Sequence, residues 1–70
     1  MPEAKALLVK VKYSDGEEEF FEERDSMVYR IGEYYVVIDH DSLVVVYDAD
    51  LLSALKAFNK NIVGAEVIEE

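Results

Sequence analysis

Tyr34-Tyr35-Val36-Val37-Ile38-Asp39-His40-Asp41-Ser42-Leu43-Val44-Val45-Val46-Tyr47 is the stretch whose reading decides the fold. Two runs of β-branched and aromatic residues flank a short polar segment, which is the composition of an antiparallel hairpin. With His40-Asp41 as a tight connection, Ile38 lies across from Leu43, Val36 from Val45 and Tyr34 from Tyr47. On the opposite face Val37 meets Val44 and Tyr35 meets Val46. Both faces of this hairpin are apolar, so both need cover.

Working outward toward the N-terminus, Met27 to Ile31 reads as a strand that joins Tyr34 either through a Gly32-Glu33 turn, the favoured reading, or with Gly32 as a bulge in one longer strand. Ala6 to Tyr13 alternates, with Leu7, Val9, Val11 and Tyr13 on one side and Leu8, Lys10 and Lys12 on the other. Asp15-Gly16 follows, a strong hairpin signal because glycine accepts positive φ. A two-residue loop there pairs Val11 with Phe20 and Lys12 with Glu19 along a second strand from Glu17 to Glu23. Glu22 to Ser26 breaks the pattern.

Toward the C-terminus, Asp48 and Asp50 are candidate N-caps for a helix running to about Lys60. Leu51, Leu55 and Phe58 form its apolar stripe, widened by Leu52 and Ala54. Lys56 and Lys60 suit the negative end of the helix dipole, and Asn61 is a candidate left-handed cap. Ile62 to Ile68 is a last strand. A strand-helix-strand crossover predicts that it runs parallel to an earlier strand.

The expected fold is one α+β domain over residues 1–70, mainly an antiparallel strand meander in the order β-β-β-β-β-α-β. Five strands span about 24 Å at ~4.8 Å each, whereas a helix of ten or so residues is about 15 Å long and ~10 Å across. One helix therefore covers only part of one sheet face. The sheet must curl or become barrel-like, split into two layers, or bury its open face against another copy of the chain, most simply as a symmetric homodimer.

Composition narrows the function classes. The chain has 16 acidic and 7 basic residues, for a net charge of −9, and a hydrophobic fraction of 51%. That is a folded composition whose charge repels nucleic acid and anionic membranes. It has no cysteine and a single histidine, which excludes disulfides, thiolate metal sites and multi-histidine sites within one chain. No apolar run approaches the ~20 residues of a membrane span. Met1 to Lys5 lacks the start of a signal peptide, so a cytoplasmic location is the expectation. Abundant Glu with no Thr, Gln, Trp or Cys is a pattern also seen in thermophiles.

Three groups are candidate sites. Asp39, His40 and Asp41 carry groups that suit a divalent metal or acid–base chemistry, although consecutive hairpin residues point in different directions and Asp is an ordinary turn residue. The acidic arm of Glu17, Glu18, Glu19, Glu22, Glu23 and Asp25 surrounds Phe20 and Phe21; it reads as a docking surface for a basic protein, or as a solvated edge strand. Tyr13, Tyr29, Tyr34, Tyr35 and Tyr47 suit strand and interface packing better than base stacking, which needs a basic groove. Gly16, Gly32 and Gly64 lie too far apart for a phosphate loop, and no serine has the context of a nucleophile.

These observations favour a non-enzymatic interaction or regulatory module, using no cofactor, that self-associates and binds a protein partner. Its expected surface comprises Glu18, Phe20, Phe21, Glu22, Tyr34, Tyr35 and Tyr47. The alternatives are an acidic mimic of nucleic acid that blocks a nucleic-acid-binding protein, and a small metal-dependent or acid–base enzyme centred on Asp39, His40 and Asp41.

Overall fold

The computed structural model describes residues 3–21, 26–39 and 41–69. Its elements are β1 (Ala4–Tyr13), β2 (Glu18–Phe21), β3 (Ser26–Ile31), β4 (Tyr34–Asp39), β5 (Val44–Asp48), α1 (Leu51–Phe58) and β6 (Ile62–Glu69). This is the α+β meander with one helix packed on its sheet, in the expected order. Glu22, Glu23 and the rest of the charged break up to Asp25 lie outside the described residues, as does His40.

All strand pairs are antiparallel, and β1 is the shared strand. Its residues 9–12 pair with both β2 and β6, which therefore occupy its two edges. Its residues 4–7 pair with β3, from which β4 and β5 follow as a meander. The last strand runs parallel to an earlier strand, as expected, but among the described residues it pairs with no strand parallel to it. It runs in the same sense as β5, as the crossover demands, but its hydrogen-bonding partner is β1, which runs the other way. Helix α1 lies against β4 and β5 and also against β6. The sheet thus curls around the helix without closing into a barrel, since β5 pairs only with β4 and β6 only with β1 among the described residues.

The first hairpin differs from its expected register by one residue. Val11 pairs with Glu19, Lys12 with Glu18 and Lys10 with Phe20. The cause is a three-residue loop. Gly16 N–H donates to Tyr13 O at 3.0 Å, and Tyr13 N–H donates to Glu17 O at 2.8 Å. Gly16 sits at φ 91°, so a turn over Tyr13 to Gly16 ends in a left-handed glycine before pairing begins. A one-residue slip moves every β2 side chain to the other face. Phe21 therefore enters the core at 3% exposure, while Phe20 is 53% exposed. Adjacent phenylalanines make both registers equally apolar, so the turn decides.

The Gly32-Glu33 turn is as expected: Ile31 pairs with Tyr34 across two loop residues, with Gly32 at φ 61°. The next hairpin is slipped by two residues from the expected register. Ile38 pairs with Val45, Val37 with Val46 and Val36 with Tyr47. Its loop holds four residues, not two; Asp39 Oδ1 accepts from Asp41 N–H at 3.0 Å, and Leu43 takes φ 58°. A slip of two keeps every residue on its expected face, and the run of three valines makes the two registers nearly equivalent in burial.

Asp50 caps the helix, accepting from Ser53 N–H at 3.0 Å and Ser53 O–H at 2.9 Å. Asp48 braces the preceding turn through Asp50 N–H at 2.9 Å. The helix ends at Phe58, two residues short of Lys60. Asn59 is its cap in an extended conformation, donating its N–H to Leu55 O, so Asn61 is not a left-handed cap. The expected stripe packs inward: Ala54 and Leu55 are fully buried, with Leu51, Leu52 and Phe58 against them. The core joins these to Leu7, Val9 and Val11 of β1, Phe21, Val28, Val37 and Ile62. Phe58 meets Phe21 edge-on, with ring centroids 5.8 Å apart.

Candidate functional site

Strand pairing sorts side chains into two faces, because cross-strand partners point the same way. The inner face holds the row Leu7, Val28, Val37 and Val46 beneath the helix. The outer face of the same strands carries three rows. They are Met27, Ile38 and Val45; then Ala6, Tyr29, Val36 and Tyr47; then Ala4, Ile31 and Tyr34. None of these residues is charged, in a chain of which 33% is charged. Val45 is 60% exposed, Tyr47 70% and Tyr34 52%. The Tyr34 and Tyr47 rings meet edge-on at 6.3 Å, and the Tyr29 hydroxyl points to Met27 Sδ at 3.1 Å. Charges of this half of the sheet fall on the inner side, where Lys5, Arg30, Tyr35 and Asp48 form the next row. There the Arg30 guanidinium stands 5.8 Å over the Tyr35 ring, beside an open cleft of about 260 Å³ lined by Glu3, Lys5, Arg30 and Gly32.

The residues expected to form one surface separate accordingly. Phe20, Glu18, Tyr34 and Tyr47 point to the outer side. Phe21 is a core residue and Tyr35 faces inward, so neither joins them. Glu22 is outside the described residues. Tyr29 of the tyrosine group belongs to the outer face, as do Met27, Ile31, Val36 and Ile38, which the sequence alone does not single out. The signal available for them was the alternation of Met27, Tyr29 and Ile31, which gains meaning only once β3 is placed beside β4.

The acidic arm also divides. Glu19 leaves by the inner side and accepts the Tyr13 hydroxyl at 2.7 Å. Burial pushes Tyr13 up to about 12, helped by the Glu19 hydrogen bond and by the negative charges of Glu19 and Asp15. Glu18 leaves by the outer side and lies 3.4 Å from Lys10. Asp39 and Asp41 are joined by the local turn hydrogen bond, and His40 lies outside the described residues. Among the described residues no three His, Asp or Glu side chains gather as metal ligands, and no helix is long and apolar enough to cross a membrane.

The fold and this surface define a small α+β domain with a helix on one side of its sheet and, on the other, an uncharged face that is exposed at Tyr34, Val45 and Tyr47 and buried at Met27 among the described residues. Comparison with protein families, curated proteins and solved structures finds no match to the chain.

Proposed function

We propose that this protein is a non-enzymatic interaction module that self-associates and docks a protein partner on the outer face of β3, β4 and β5. The observation that carries the reading is the absence of any charged side chain from the three rows of that face, in a chain of net charge −9. Contiguous exposed apolar surface is rare unless it binds something. The three strands span about 14 Å by about 20 Å, or roughly 290 Å² in projection. That is no larger than the biggest apolar patch of an ordinary monomer, ~300–600 Å², and well below the ~800 Å² each partner gives to a standard interface. It suits a modest partner contact, with basic groups on the partner meeting the acidic surroundings.

Two measurements test the halves separately. Sedimentation velocity from 1 µM upward, on the order of the range where stable dimers form, reads self-association; a monomer at every concentration refutes that half. Partner capture with the wild type and with V45E/Y47E reads the face. Loss of capture by a folded V45E/Y47E supports docking there, and unchanged capture refutes it.

A further inference from the structure

We propose that β6 is the edge through which the protein self-associates, two copies pairing Val63 to Val67 antiparallel about a two-fold axis at Ala65. This rests on the self-association proposed above and names where it occurs. β6 pairs with β1 on one side and with no strand on the other among the described residues. Proteins guard such an edge with lysine, proline, an inward charge or β-bulges, and β6 has a register shift near each end that leaves its middle regular. The segment Val63-Gly64-Ala65-Glu66-Val67 has no lysine or proline, and its one charged residue is Glu66. Val63 is 49% exposed and Val67 37%. The register shifts against β1 fall at the two ends of β6, leaving Gly64 to Val67 in regular pairing.

The occupant follows from the order of side chains. About Ala65 the segment is nearly palindromic, so Val63 of one copy opposes Val67 of the other, Ala65 opposes Ala65, and Glu66 opposes Gly64. Ala65 and Val67 lie on the helix side beside Val11 and Val9, while Val63 is the extra residue at the register shift. The two Glu66 carboxylates never face each other. On the outer side each row reads Lys10 and Glu66 of one copy, then Gly64 and Lys12 of the next, because Lys10 pairs with Glu66 and Lys12 with Gly64 within a chain. Glu66 is then flanked by lysine on both sides, with the far lysine about 10 Å away at two strand spacings, within reach of two long side chains.

Gly64 leaves room on the same edge. Glycine inside a strand weakens it and marks a close approach or a special backbone. Its φ lies outside the left-handed region, and a Cβ there would meet only Lys12 Cβ, at 3.7 Å. Within the chain it borders the register shift that leaves Val63 as the extra residue, a place where strand glycines are common. Across the proposed two-fold, it is the place over which Glu66 of the second copy must lie.

The test uses the full chain and three variants, with V45C as a control. A65C places a sulfur at the axis of a protein with no cysteine of its own. Facing Cα atoms are about 4.5 or 5.5 Å apart in an antiparallel pair, within the ~4.4–6.8 Å range a disulfide spans. Mild oxidation should give a covalent dimer from A65C and none from V45C on the outer face. G64E sets a new carboxylate against Glu66 of the other copy, and should raise the dimer dissociation constant more than tenfold with an unchanged circular dichroism spectrum. G64E/E66K turns that clash into a carboxylate facing an ammonium, and should restore the constant to within about threefold of wild type. A dimer that cross-links through V45C, or that G64E leaves intact, overturns the β6 edge while self-association stands. A wild type that sediments only as monomer overturns both.

Discussion

The register of the first hairpin makes opposite demands on two adjacent residues, Phe20 and Phe21. With a three-residue loop, Phe21 is 3% exposed and set edge-on against Phe58 at 5.8 Å, while Phe20 is 53% exposed beside Lys10. Truncating a buried Phe to Ala costs about 3–5 kcal/mol, and a ring–ring contact accounts for ~0.5–1.5 kcal/mol of such a loss. A chain of this length has a total stability of only about 3.5–10 kcal/mol, so F21A alone threatens to unfold it. F21L is the usable probe, with an expected loss of about 1–2 kcal/mol. F20L should lose less than about 0.5 kcal/mol, as surface substitutions do. For a domain this small the urea slope is roughly 1 kcal/mol/M. F21L should therefore lower the unfolding midpoint by about 1–2 M, and F20L by less than about 0.5 M. The curves are measured at two protein concentrations, because association adds stability by mass action. The two-residue loop makes the opposite forecast, with Phe20 buried over Val11. A midpoint shift for F20L equal to or larger than that for F21L would refute the three-residue loop and the inner face built on it.

Two further outcomes follow from local geometry. Leu43 is 82% exposed at φ 58°, a conformation that costs an L-residue roughly 1–2 kcal/mol; L43G should raise stability by about 0.5–1 kcal/mol in urea unfolding, and a loss instead would show that the leucine side chain packs against something. Tyr13 is raised to about 12 in the folded chain from an ordinary value of 10.0, so the fold disfavours its anion. Its contribution is complete below pH 10 and is lost as pH rises toward 12. Alkaline unfolding followed by tyrosinate absorbance should therefore begin above pH 10, and Y13F should flatten that part of the stability profile.

Some elements were legible in sequence because their causes are local. Asp50 caps its helix with a side chain three residues from its target, Gly32 turns a hairpin through its own φ, and Leu51, Leu55 and Phe58 mark the buried helix face by spacing alone. The order of elements and the presence of an uncovered apolar face follow from the same short-range patterns. Tyr34 and Tyr47 are among the expected surface aromatics, as is Phe20, although the expected hairpin register places Phe20 opposite Val11. Phe21 and Tyr35 could not be separated from them, since a pair of adjacent aromatics is apolar in either register.

What only the tertiary structure decided are the choices where burial is degenerate or the partner is distant. Two phenylalanines and a run of three valines satisfy the core in more than one register, so loop hydrogen bonds at Tyr13, Gly16 and Asp39 set the alignment. The place of β6 beside β1 depends on a contact between the two ends of the chain, which no local pattern encodes. The expected mismatch between one short helix and a wide sheet is met on the inner side by curling, which brings β5 and β6 to the same helix. The alternation of the strands set against one short helix implied apolar surface that the helix alone does not cover. The pairing of β3, β4 and β5 decided which residues form it, because cross-strand neighbours share a face only after the strands are aligned.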